Sequence, residues 1–176
     1  PYLIAGSGPG GYDSIIMGPT DRIIEEGDVL IIDTGATYDG YFCDFDRNFA
    51  FGEPGNAAKR AYDIVFQATS AGFQAARPGA TTTDLWAAMA AVLRAGGSMG
   101  NDVGRMGHFL GMQLTEGPSI TPTDMTRLEP GMVLTLEPGM TTATGKQMVH
   151  EENIVITEHG AEYLSRRAPP GMPVIG

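Results

Sequence analysis

The sequence is short of cysteine, of basic residues and of long apolar runs. Its single cysteine, Cys43, excludes an internal disulfide and a Cys-rich zinc site, and fits a reducing cytoplasm. Lys and Arg number 11 against 21 Asp and Glu, a net charge of −10, which excludes nucleic-acid binding driven by clustered phosphate contacts. No apolar run approaches the roughly 20 residues that cross a bilayer, so no membrane partner is expected. Solenoid-type repeats, runs of like charge and a signal peptide are all absent. The chain starts at Pro1 rather than Met and reads as a piece of a longer protein.

What is present describes one folded unit, residues 1–176. Hydrophobic residues make up 42% and charged residues 18%, enough for a core and too little charge for disorder. With 25 glycines and 12 prolines the fold is turn-rich. The segment 1–20 reads as strand then Gly-rich loop. Strands are expected at Asp28–Asp33 and Tyr41–Phe51, joined through Asp39-Gly40, a preferred type I′ hairpin pair. Helices are expected at Asn56–Ala76 and Thr83–Ala95, the second capped by Thr and ended by Gly96-Gly97. Met132–Glu137 and Met148–Ile156 read as a further strand pair. Strands, then helices, then strands joined mostly by hairpins give an α+β class, not a doubly wound parallel sheet.

Hairpin parity locates the chemistry. A two-residue loop at Asp39-Gly40 sets Asp33 opposite Asp46 and diagonal to Asp44, all on one face. A three-residue loop at Ala143-Thr144-Gly145 sets Glu137 opposite Glu151 and turns Glu152 to the other side. Facing carboxylates on aliphatic strands repel and are costly to desolvate unless a cation neutralises them. With His108 after Gly107 they form a hard, oxygen-rich set suited to two divalent ions sharing a bridging hydroxide. Parity alone does not choose between Asp44 and Asp46.

The same residues resemble the pita-bread metallopeptidases: methionine aminopeptidase, aminopeptidase P, prolidase and the non-peptidase creatinase. The resemblance runs from about Thr20 to Val174. Its motifs are Asp33 and Asp44 eleven apart in IDTGATYDGYFCD, His108 in GRMGHFLGM, Glu137 in TLEPGM and Glu151 in VHEENIVIT. It implies a pita-bread fold truncated on its N-terminal side, and five ligands for two divalent ions, Mn2+ before Co2+ or Zn2+. Asp44 and Glu151 would share the bridging role, and Glu137 would double as the proton-transferring group. It also implies hydrolysis of Xaa-Pro dipeptides or short peptides by a cytoplasmic homodimer. Three positions depart from the pattern. Thr115 stands where a second histidine is expected, Ile16 or Met17 where an earlier one is, and Phe109 where a glycine usually follows the metal histidine. The missing histidines turn attention to relatives that open small C–N compounds of ectoine or creatine type, and a binding domain without catalysis is the third reading.

Other residues carry less. Glu116 is a candidate to orient substrate or His108. His150 alternates away from the metal face, and His159 reads as a surface turn. Cys43 faces away from Asp44 and lacks a base for nucleophilic work. The methionines read as core filling, and Gly6-x-Gly8-x-x-Gly11 lacks the helix and acidic residue of a dinucleotide site.

Overall fold

The computed structural model describes residues 2–16, 18, 20–100 and 104–176. Strands β1 (Tyr2–Pro9), β2 (Asp28–Tyr38) and β3 (Tyr41–Phe51) form an antiparallel meander. Helices α1 (Gly55–Ala75) and α2 (Thr82–Ala95) follow, then short strands β4 (His108–Phe109), β5 (Glu116–Ser119) and β6 (Val133–Leu136). The chain continues through β7 (Gly139–Thr141), β8 (Gln147–Val149), β9 (Glu152–Thr157), β10 (Gly160–Tyr163) and β11 (Val174–Ile175). One sheet has the order β1-β2-β3-β11, a second β10-β9-β6-β4-β5, and β7 pairs with β8. This is the α+β architecture expected.

The hairpin at Asp39-Gly40 forms as read: both residues have positive φ, 52° and 86°, and Asp33 pairs with Asp46. Helix α1 lies against α2 and against β6, β7, β8 and β10, and Tyr62, Val65, Leu85 and Met89 share a buried core with Leu134, Leu136, Met148 and Ile154. Each side chain of that size contributes about 1.5–3 kcal/mol on burial. Helix α2 starts earlier than expected. Thr81 is its N-cap and Asp84 returns the bond to the Thr81 backbone, a capping box in which the acid sits at the third helical position. The last expected strand is also divided. His150 and Glu151 lie between β8 and β9, so Glu151 sits at an opening of the ladder rather than within it. Among the described residues no helix is long and apolar enough to cross a membrane.

Candidate metal centre

The site forms where the first sheet meets the strand break before β9. Asp33 lies mid-way along β2, and Asp44 lies on the facing stretch of β3. Asn153 on β9 joins the two sheets. Its amide oxygen accepts from the Asp44 N–H at 3.1 Å, and its amide nitrogen donates to the Asp44 carbonyl. Asn48 ties β3 to β8 by donating to the Val149 carbonyl at 2.7 Å. The wholly buried Tyr12 is a third tie, its hydroxyl accepting from the Val149 N–H at 2.6 Å. These ties bring Glu151 to the aspartates.

Glu137 follows β6 directly. The pairs Gly139–Val149 and Leu136–Glu152 keep one register across the gap, and that register sets Glu137 against Glu151. Glu152 turns away, as parity requires. It pairs with Arg47 at 3.1 Å and accepts from the Ala168 N–H at 2.7 Å.

His108 is placed by its neighbours. Gly107 has φ 137° and lies so close to the Thr135 carbonyl that a Cβ there would overlap it, so the residue before the histidine must be glycine. The His108 N–H donates to Thr135 Oγ1 at 3.2 Å, and Nδ1 donates to the Phe109 carbonyl at 3.0 Å. That leaves Nε2 as the ligand atom, 3.4 Å from Asp44 Oδ2. Phe109 itself is buried in the apolar core.

One ligand atom from each of Asp44, His108 and Glu151 falls within 4.8 Å of the other two, and all three residues are buried. Asp33 and Glu137 border this trio. Asp46, the alternative to Asp44, is not part of it: its side chain accepts from the Glu151 backbone and from Asn48 at 3.4 Å.

Mutual repulsion is written into the acidities. Burial, then the charge of Asp44, pushes Asp33 up to about 6. Burial pushes Glu137 up to about 7, with Asp44 and Asp33 adding to the shift while His108 and Arg105 oppose it. Glu151 and Asp46 are held well above the carboxylate range by burial first and neighbouring acids second. Burial alone would lower His108, but its hydrogen bonds to Asp44 and the Phe109 carbonyl and the nearby Glu137 charge raise it instead. Among the described residues Glu137 Oε2 is buried with no hydrogen-bond partner, and it forms a long ion pair with Arg105, 3.9 Å from Nε. Four carboxylates, one of them with an oxygen that no described residue hydrogen-bonds, and one imidazole fit hard divalent ions, which would remove the repulsion.

One residue here had no signal in the sequence reading. Tyr2 on β1 donates through its hydroxyl to Asp44 Oδ1 and reaches Asp33 Oδ1 at 3.2 Å. Burial, then the bond to Asp44, raises its pKa far above the phenol range. Tyrosine is seldom counted among hard-metal ligands, and only register across three strands would have shown it.

The remaining candidates lie outside the trio. Thr115 is exposed on the loop between β4 and β5. Glu116 accepts from the Gln113 N–H at 3.0 Å and so shapes that loop, whose Gly111 carbonyl is bonded by the Phe42 N–H of the β2–β3 hairpin. Ile16 is 77% exposed, and Met17 lies outside the described residues. His150 is a buried neutral histidine bonded to Thr69 at 2.9 Å and flanked by Tyr62 and Phe66, its pKa lowered to about 3 by burial and then by Arg47. His159 is exposed at a turn.

Residues 3–158 match the family model described as Metallopeptidase family M24. A probable dipeptidase PepE of Mycobacterium tuberculosis is 36% identical over 161 residues, 91% of this chain and 43% of the relative. A Xaa-Pro dipeptidase of Pyrococcus furiosus is 33% identical over 147 residues, 84% of this chain and 42% of its own length. The crystal structure of dipeptidase PepE from Mycobacterium ulcerans superposes with a TM-score of 0.90 at 32% identity, over 99% of this chain and 47% of that one. A recombinant prolidase from Thermococcus sibiricus gives 0.89 at 29% identity, over 98% of this chain and 47% of its own. The chain therefore spans less than half the length of these relatives.

Proposed function

The chain belongs to metallopeptidase family M24, and from that premise we propose that it carries the metal centre of a hydrolase acting on Xaa-Pro dipeptides or short peptides. The observation that carries this reading is the buried Asp44, His108 and Glu151 trio with ligand atoms within 4.8 Å. Asp33 and Glu137 complete a five-ligand set for two divalent ions, manganese by the hardness of the donors. The relatives named Xaa-Pro dipeptidase supply the substrate class. The full-length protein is a homodimer of the reducing cytoplasm, as the family resemblance and the free Cys43 imply.

Bound divalent ions supply a Lewis acid that lowers the pKa of water to near neutrality and polarises the scissile carbonyl. The chain's own residues do the rest. Glu137, whose Oε2 lies 3.9 Å from Arg105 Nε, takes the water proton through its carboxylate and hands it to the leaving nitrogen. His108 is fixed through Nδ1, so only Nε2 faces the centre. Glu116 holds the loop that presents the Thr115 hydroxyl, the one short-range donor at the position where the family resemblance expects an imidazole.

The experiment is a substrate panel on the manganese-loaded full-length protein. It compares Xaa-Pro dipeptides, matched dipeptides without proline, and creatine- and ectoine-like compounds. Hydrolysis of Xaa-Pro dipeptides that stops on chelation is expected. Turnover of the small C–N compounds alone, or of nothing, would overturn the substrate reading.

A further inference from the structure

Tyr2, Gly35 and Asp44 occupy one cross-strand row: Tyr2 pairs with Gly35 across β1 and β2, and Gly35 pairs with Asp44 across β2 and β3. Facing residues share a side of the sheet, so Tyr2 and Asp44 project the same way from strands two spacings apart, roughly 10 Å. A side chain at the middle position would block the path. Gly35 has none, and a Cβ placed there would lie 2.5 Å from Tyr2 Cε1. The phenol ring therefore lies across the bare strand and delivers its hydroxyl to Asp44 Oδ1 and, at 3.2 Å, to Asp33 Oδ1. The backbone of Asp44 is already fixed from the opposite side by Asn153. Its carboxyl group is contacted by His108 Nε2 at Oδ2, 3.4 Å away, and by the Tyr2 hydroxyl at Oδ1.

Resting on the metal-centre reading above, we propose that Tyr2 is a positioning residue of that centre, its phenol hydroxyl fixing the carboxylate planes of Asp44 and Asp33 through the side-chain gap at Gly35. A carboxylate oxygen has two lone pairs, so Oδ1 accepts the phenol and keeps one for a cation. Partners that orient ligating side chains typically govern metal affinity 10- to 100-fold. Tyr2 also makes Gly35 a site residue by proxy, since glycine inside a strand marks close approach by another group.

The test compares wild type, Tyr2→Phe and Tyr62→Phe after reconstitution with cobalt, whose visible absorption reports ligand arrangement. Tyr2→Phe keeps the ring and removes only the hydroxyl. Its cobalt spectrum is expected to shift and its manganese affinity to fall roughly 10- to 100-fold. Tyr62→Phe removes a part-buried structural hydroxyl that donates to the Pro169 carbonyl at 2.7 Å, and is expected to lower the melting temperature while leaving the cobalt spectrum in place. Independently of any variant that folds poorly, metal titration of the wild type should perturb its near-ultraviolet tyrosine absorption, and should not do so in Asp44→Asn. Unchanged affinity and an unchanged spectrum in Tyr2→Phe would overturn the proposal while leaving the metal centre intact. Absence of metal binding by the wild type would overturn both.

Discussion

Asn153 grips Asp44 at both ends of its backbone, accepting from the N–H at 3.1 Å and donating to the carbonyl. One buried amide thus fixes the strand that carries Asp44 against the strand that follows Glu151, so the two residues cannot drift apart without breaking both bonds. Asn153→Ala leaves a buried N–H and a buried carbonyl unpaired. The expected cost is about 1–3 kcal/mol for each group left without a partner, read from urea unfolding, together with weaker manganese binding. Asn153→Asp tests the same point differently, since it keeps the acceptor and loses the donor.

Asp44 and Asp46 share a face but not an environment. Asp44 faces His108 Nε2, whereas Asp46 accepts from the Glu151 backbone and Asn48. Asp44→Asn is expected to lose most bound manganese, because an amide keeps the shape and forfeits the charge. Asp46→Asn should retain the metal. It should also unfold no more easily at neutral pH, since it removes a buried charge repelled by Asp33. Equal metal content in the two variants would assign the wrong aspartate.

Chelated protein should lose stability as pH rises. Asp33 moves from 3.8 to about 6 on folding and Glu137 from 4.5 to about 7. Both are raised, so the folded chain binds more protons than the unfolded chain between about pH 4 and about pH 7. Stability falls across that window as the two groups ionise against their neighbours. Thermal melts in chelator at pH 5 and pH 7.5 measure it, and saturating manganese at the higher pH should restore the loss. At a hundredfold excess over its dissociation constant each bound ion stabilises the fold by about 2.7 kcal/mol.

Thr115 lies on the exposed loop shaped by Glu116. Thr115→Val should lower turnover while leaving metal content unchanged, because it removes a hydroxyl donor and no ligand. Thr115→His alone should gain little. The earlier histidine position falls at Ile16, which is 77% exposed, or at Met17, so a single imidazole would act without its counterpart. A preorganised donor is worth about 3–4 kcal/mol in the transition state, which sets the scale of loss that the kinetics should resolve.

Much of this was legible in the amino acids because hairpins obey arithmetic. The Asp39-Gly40 turn fixes the pairing of Asp33 with Asp46, and the Ala143–Gly145 loop fixes the register that sets Glu137 against Glu151. Local rules reached the acids and the side to which Glu152 turns. They did not reach contacts made between sheets. Asn153 is an ordinary polar residue in an apolar strand until Asp44, 109 positions away, comes to lie beside it. Tyr2 looked like the start of a strand, and its function depends on two successive registers and on the missing side chain of Gly35. The break at His150 and Glu151 was hidden too, because an apolar run does not announce where its ladder opens. The start of α2 falls one residue earlier than expected and its cap at Thr81, because Thr81, Thr82 and Thr83 offer the same cap chemistry, and only the reciprocal bond from Asp84 decides among them.

The measurement that tests the central claim most directly is metal stoichiometry. Stripped protein is reconstituted with manganese, dialysed, and its metal counted against its chain concentration by elemental analysis, with Asp44→Asn alongside. Two manganese ions per chain in the wild type, and a large loss in Asp44→Asn, are the predicted result. A wild type that retains no manganese, or an Asp44→Asn variant that retains as much as wild type, would contradict a two-ion centre built on Asp33, Asp44, His108, Glu137 and Glu151.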